Sequence, residues 1–313
     1  MMAPQREQSL IERLPPVRGR YEVRAPLGRL TWFRVGGPAD VLYSPADEAD
    51  LAAFMQARPR DVPVTLLGIG ANILVRDGGI RGVVVRFGRA FSEIAVAGER
   101  LTVGAGALNA NVAKAARDHG LSGLEFLSGI PGTIGGGLRM NAGAYGSSFA
   151  DVVVSARAID GAGYDRRYDL RELDFGYRHC GLAEDCIFVS AVLQGAPADR
   201  EGIIARMNGI MRQREASQPI RLRTGGSTFK NPEGESAWEL IDRAGCRGLR
   251  LGNAMVSDKH CNFLINIGEA RAADLEALGE EVRRRVREAT GVLLEWEIKR
   301  LGEHDGGVRE VGS

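Results

Sequence analysis

Gly68-Ile69-Gly70-Ala71-Asn72-Ile73-Leu74-Val75 follows an apolar run, Val62 to Leu67, that reads as a strand. What comes after the glycines decides the fold. A dinucleotide-binding turn of the βαβ kind needs GxGxxG opening straight into a helix, so that amides and helix dipole face a pyrophosphate. Here Asn72 is followed by an extended apolar triplet, the turn Asp77-Gly78-Gly79 and a second strand from Gly82 to Phe87. Spacing and context both exclude that fold. A P-loop is excluded too, because the dipeptide Gly-Lys never occurs.

Working outward, the glycines remain dense. The chain has 42 among 313 residues, and eighteen of them fall between Gly68 and Gly146, separated by apolar strand-like runs that rule out collagen or low complexity. Leu101 to Val103 leads into Gly104-Ala105-Gly106, and Asn109 to His119 reads as a helix closed by Gly120. The densest stretch runs from Ser128-Gly129-Ile130-Pro131-Gly132-Thr133-Ile134-Gly135-Gly136-Gly137 to Asn141-Ala142-Gly143-Ala144-Tyr145-Gly146. Such a run offers amides that can wrap a diphosphate. A set of tight turns without a ligand is the alternative.

Elsewhere the pattern is mixed. A helix is expected from Ser44, with Pro45 and Asp47 in its first turn, to about Gln56. Strands return between Asp151 and Leu193. Ile203, Met207, Ile210 and Met211 trace one helical face as far as Arg214, and a boundary is expected near Ser217-Gln218-Pro219. Beyond it come a helix from Ser236 to Ala244, a strand from Asn262 to Ile267, and a helix from about Ala272 to Thr290 with Leu275, Leu278, Val282 and Val286 on one side. In the terminal strand from Val292 to Leu301, Leu294, Trp296 and Ile298 alternate with Glu295, Glu297 and Lys299. The first twenty residues, charged and proline-bearing, read as a frayed tail and not as a leader.

Composition narrows the function. Forty-one Lys and Arg against 40 Asp and Glu leave a net charge of +1, which gives no general attraction for nucleic acid or anionic lipid. No apolar run reaches the roughly 18 residues of a membrane helix. Cys180, Cys186, Cys246 and Cys261 form no CxxC pair, and His119, His179, His260 and His304 are scattered, so free thiols in the cytoplasm and no metal site are expected. Chemistry could reside in Gly225-Gly226-Ser227-Thr228-Phe229-Lys230-Asn231-Pro232, in Phe175-Gly176-Tyr177-Arg178, or on the face carrying Glu297 and Lys299. Each alone also reads as an ordinary polar surface.

Together, Arg34-Val35-Gly36-Gly37-Pro38-Ala39, Gly68 to Asn72, Ser128 to Thr133 with Asn141 to Gly146, Phe175 to Arg178, Gly226 to Pro232 and Glu297-Ile298-Lys299 resemble the MurB family of UDP-N-acetylenolpyruvoylglucosamine reductases, over roughly residues 20 to 302. The lack of an extra tyrosine-bearing loop between Gly195 and Gln218 is similar to its shorter, type II subgroup. The resemblance implies an α+β fold: a two-lobed FAD-binding unit of the vanillyl-alcohol-oxidase type, with a smaller α+β substrate-binding domain. The expected divisions are a disordered tail over 1–20, FAD lobes over 21–88 and 89–216, a substrate domain over 217–291, a returning strand over 292–302 and a second tail over 303–313.

The resemblance also implies non-covalently held FAD, NADPH as hydride donor, and UDP-N-acetylglucosamine enolpyruvate as substrate, in peptidoglycan synthesis. Other cell-wall enzymes are the partner class it suggests. Catalytic roles would fall to Arg178, Ser227 and Glu297. Cofactor contacts would come from Gly68, Ile69, Gly70, Ala71, Asn72, Gly104, Ala105, Gly106, Ser128, Gly129, Ile130, Pro131, Gly132, Thr133, Gly135, Gly136, Asn141, Gly143 and Ala144. Substrate contacts would come from Tyr177, Lys230, Asn231, Lys259, Asn262 and Lys299, where Lys299 replaces an Arg common in relatives and loses its two-pronged grip. Another FAD oxidase or dehydrogenase, or a non-catalytic flavin-binding scaffold, are the competing readings.

Overall fold

The computed structural model describes residues 10–306. They pack as two units. The first holds the chain up to Val23, Val41–Gly68 and Gly82–Arg214; the second holds Arg24–Asp40, Ile69–Arg81 and the chain from Glu215 on. The expected division 89–216 falls in the first unit up to Arg214, while the expected division 21–88 is split, with Arg24–Asp40 and Ile69–Arg81 belonging with the C-terminal third.

In the first unit, strands Arg20–Pro26, Pro38–Ser44, Ile80–Val85 and Val64–Leu66 form a sheet in that order, the last two parallel; three of them carry the chain across the unit boundary. Val41, Tyr43, Val83 and Val85 are buried against Leu51, Phe54 and Met55 of helix Glu48–Ala57. That helix starts later than the expected Ser44. Asp47 is its cap, accepting from the Asp50 amide at 2.9 Å. The delay has a reason: buried Asp50 accepts from the amides of Arg18, Gly19 and Ala46 and from the Tyr43 hydroxyl, which ties down residues 44–47. Burial alone would raise the Asp50 pKa, but these bonds outweigh it and the net shift is downward.

The same carboxylate corrects the expected N-terminal tail. Residues 10–20 are held, with Leu14 buried, Leu10, Ile11 and Val17 packed on the core and Arg13 paired to Asp61 at 2.6 Å. Residues 1–9 lie outside the described residues, as do 307–313. Of the second tail, Glu303 bridges Gly79 and pairs with Arg81 at 2.9 Å, and Asp305 meets Arg271 at 3.0 Å.

A five-stranded antiparallel sheet completes the first unit, in the order Asp165–Asp169, Val153–Ile159, Ile187–Gln194, Arg100–Gly104 and Ile94–Ala97. Helices Asn109–Asp118, Ile134–Arg139 and Arg200–Ser217 bury Val112, Leu138 and Ile203 in its core. Met211, expected on the buried face, is 37% exposed; the inward stripe ends at Met207.

The second unit has its own core. Strands Arg223–Ser227, Phe263–Asn266, Ala254–Val256 and Arg250–Leu251 make an antiparallel sheet against helices Ala237–Arg243 and Ala272–Thr290. Leu275, Leu278, Val282 and Val286 are fully buried, each contributing about 1.5–3 kcal/mol. Gly291 ends this long helix with φ +79°, and Asp77, nearly 200 residues earlier, accepts from the Ala272 and Ala273 amides at 3.0 Å each. The expected terminal strand is regular only over Lys299–Leu301, which pairs in parallel with Ile73–Val75; its inward and outward alternation persists from Leu294.

Candidate active site

Most of the glycine run in the first unit is engaged by its own unit. The amides of Gly104, Ala105, Gly106 and Gly135 donate to Glu93, Val189, Phe91 and Ala105 carbonyls at 2.7–2.9 Å, and Gly136 donates to the Thr133 hydroxyl. A Cβ on Gly137 would lie 2.2 Å from the Phe149 ring, and one on Gly129 2.3 Å from Tyr145. These glycines let backbone pack closely, and the amides of Gly104, Gly106, Gly135, Gly136 and Gly137 are already taken within the chain. That corrects the picture of one continuous amide wrap.

What remains is smaller. The amides of Gly68, Gly132 and Thr133 donate to no group among the described residues. They lie together: the Gly68 Cα faces the Thr133 hydroxyl, and the Gly132 Cα faces the side chain of Asn109. Asn109 is 1% exposed; its amide nitrogen donates to the Ile130 carbonyl at 3.2 Å, while its buried Oδ1 has no partner. Ser128 and Gly129 sit in the short helix Glu125–Gly129 just before Pro131, with the Ser128 hydroxyl bonded to the Glu125 carbonyl.

Asn141, Tyr145, Asp174 and Arg178 all have positive φ, an uncommon conformation for side-chain-bearing residues. Two bonds hold their loops together. Asn141 Nδ2 donates to the Gly176 carbonyl at 3.0 Å, and the Arg178 guanidinium donates to the Gly143 carbonyl at 3.2 Å. Ala144 pairs with Ser147 beside them. Arg178 lies over the ring of Tyr177, which is exposed.

The second unit gathers the other named residues. A bulge between Thr224 and Ser227, with Gly226 at φ +80°, shifts the strand's register so that Ser227 falls opposite Phe263. Ser227 is partly exposed and its hydroxyl bonds to no described residue, whereas neighbouring Thr228 is buried and its Oγ1 accepts from the Leu264 amide. The Thr228 carbonyl accepts from the amides of Glu297, at 2.8 Å, and Ile298. Ser227 and Glu297 therefore stand one peptide apart across this bond. On the other side, Asn72 Nδ2 donates to the Glu297 carbonyl and the Asn72 carbonyl accepts from the Lys299 amide. Gly70 has φ +68°, its carbonyl taking the Trp32 amide, and the amides of Ile69, Gly70, Ala71 and Asn72 donate to no described group.

The candidate substrate residues differ in availability. Lys230 pairs with Glu295 at 3.2 Å, Lys259 donates to the Glu215 carbonyl, and Lys299 is exposed. Asn231 accepts from the Ala237 amide at the start of a helix. Asn262 is buried, with both ends of its amide on the Phe229 backbone at 2.9–3.0 Å. Sequence reasoning missed Asn109 and the Asp77 cap; neither has a local signal, since each is defined by distant partners.

The amides of Gly68, Gly132 and Thr133, open among the described residues, with the orphaned buried Oδ1 of Asn109 beside them, suit the phosphates and hydroxyls of a dinucleotide such as FAD. Residues 39–167 match the FAD binding domain family. The class is thus that of flavin-dependent proteins with an FAD binding domain and a separate C-terminal part. Residues 218–301 match the family described as UDP-N-acetylenolpyruvoylglucosamine reductase, C-terminal domain. The UDP-N-acetylenolpyruvoylglucosamine reductase of Rhodospirillum rubrum is 59% identical over 307 residues, 96% of each chain. That of Parvibaculum lavamentivorans is 58% identical over 302 residues, 96% of this chain and 97% of its own. The crystal structure of the Thermus caldophilus reductase aligns with TM-score 0.79 at 36% identity, covering 92% of this chain and 100% of that one. The chain belongs to the UDP-N-acetylenolpyruvoylglucosamine reductase family.

Proposed function

We propose that this enzyme uses FAD and NADPH to reduce the enolpyruvyl ether of UDP-N-acetylglucosamine to UDP-N-acetylmuramate, a peptidoglycan precursor. The observation that carries the assignment of roles is the contrast between adjacent hydroxyls: Ser227 partly exposed and bonded to no described residue, Thr228 buried and bonded. Bound FAD supplies the hydride that NADPH provides, and the rest of the reaction falls to the chain.

The hydride goes to the terminal carbon of the enolpyruvyl group, and the carbon bearing the carboxylate must then gain a proton. Ser227 donates it. Charge builds on the carboxylate side before that transfer, and Arg178, a permanent cation, balances it, while Glu297 orients and stabilises the enol form. The amides of Gly68, Gly132 and Thr133, which donate to no described residue, are main-chain donors for FAD. Lys230, Lys259 and Lys299 supply positive charge for the nucleotide diphosphate and the carboxylate. Asn231 and Asn262 shape their loops. The C-terminal segment from 217 to 291 is the substrate domain. No described helix is long and apolar enough to cross a membrane. A cytoplasmic location is part of the same proposal.

The test is anaerobic and in two steps. NADPH should bleach the flavin of the purified holoenzyme, and the enolpyruvyl nucleotide should restore the colour. In Ser227→Ala the bleaching should persist, while recolouring slows by about 10²- to 10⁴-fold. Recolouring at the original rate would remove Ser227 from the mechanism, and recolouring only by oxygen would favour an oxidase.

A further inference from the structure

We infer that Asn72 is a positioning residue for Glu297, acting through the main chain that carries the acid. This rests on the role proposed above for Glu297. The Asn72 side-chain amide donates to the Glu297 carbonyl at 3.2 Å, and the Asn72 main-chain carbonyl accepts from the Lys299 amide at 3.1 Å. One residue thus grips the strand at two points that bracket Ile298. The parallel pairing of Lys299 with Ile73 continues the same register.

That grip matters because the strand alternates. Trp296 and Ile298 point into the core, and Glu297 points the other way, so a slip of one residue would replace a carboxylate by an apolar side chain. The opposite edge is held by the Thr228 carbonyl on the Glu297 amide, the residue next to Ser227. With Asn72 on one side and Thr228 on the other, both peptide groups of Glu297 are fixed. Only a side chain with an N–H donor of this length satisfies the Glu297 carbonyl from position 72; alanine leaves it without that donor, and aspartate would set oxygen against oxygen. The Asn72 amide N–H, which donates to no described residue, remains available to a ligand. Its side chain and its main chain therefore serve different ends.

The experiment is a double-mutant cycle on the FAD-loaded enzyme, comparing Asn72→Ala, Glu297→Gln and the double variant in the two half-reactions. Asn72→Ala should slow reoxidation by the enolpyruvyl nucleotide by about 10- to 100-fold, the cost of a displaced catalytic group, and should slow it by clearly more than it slows flavin reduction by NADPH. In the Glu297→Gln background the same change should slow reoxidation less than about twofold. Additive losses in the cycle, or equal loss in both half-reactions, would overturn the inference and leave Asn72 a general structural or cofactor residue. Unimpaired reoxidation in Glu297→Gln alone would instead sink the role of Glu297.

Discussion

The run from Ser128 to Gly146 and the turn from Ile69 to Asn72 look alike as sequence and behave differently in the folded chain. Around the first, Gly135 donates its amide to a neighbouring carbonyl and Gly137 leaves room for the Phe149 ring. In the second, four consecutive amides are unengaged by the described residues. Glycine density therefore reports close backbone approach, and only hydrogen-bond accounting tells whether the approaching partner belongs to the chain. The adjacent hydroxyls of Ser227 and Thr228 repeat the lesson on the scale of one peptide.

That comparison can be broken by substitution. The largest separation is expected between Ser227→Ala, which abolishes most of the second half-reaction with thermal stability unchanged, and Thr228→Ala. The latter deprives the buried Leu264 amide of its acceptor and should lower unfolding stability by about 1–2 kcal/mol, read by denaturant titration. Glu276→Gln comes next. Burial would raise the Glu276 pKa, but the bidentate bonds from Arg76 and the charge of Arg300 bring it below the ordinary carboxylate value. A lowered pKa stabilises the fold above the unfolded-state value, and that contribution is lost as pH falls through the folded-state value. The variant should be less stable by about 2–3 kcal/mol at pH 7, a gap that closes as the pH of the titration falls through the folded-state value.

Gly137→Ala should cost about 1–3 kcal/mol, because its Cβ would meet the Phe149 ring at 2.2 Å. Flavin affinity should change only through that loss of folding. Gly132→Ala sharpens the opposite case: at φ +153° and 3.3 Å from the Asn109 side chain, it should weaken flavin retention about fivefold, measured by equilibrium dialysis, more than it lowers stability. The smallest effect is Gly136→Ala, whose Cβ meets nothing nearer than 3.7 Å; it should raise helix stability by about 0.5–1 kcal/mol, and a loss of flavin there would restore the view of a continuous cradle.

Much was legible in the chain before folding was considered. Helix Ala272–Thr290, its four inward side chains and its glycine stop follow from 3.6-residue periodicity and from the conformational freedom of Gly291, both local properties. The strand continuing beyond Asn72 excluded a Rossmann site for the same reason, and six ordered motifs pointed to the family. Local pattern misjudged the start of helix Glu48–Ala57 and the order of residues 10–20, because both depend on Asp50 collecting amides from two segments.

By itself, then, the sequence determined which elements form and which residue types are on hand for chemistry, since turns, caps and periodicities act over a few residues. Tertiary structure alone decided that the amides of Gly68, Gly132 and residues 69–72 find no partner among the described residues, that Asp77 caps a helix far along the sequence, and that Asn72 holds the backbone of Glu297. A hydrogen bond is settled by whichever group arrives at about 3 Å, and distance along the chain does not encode that arrival.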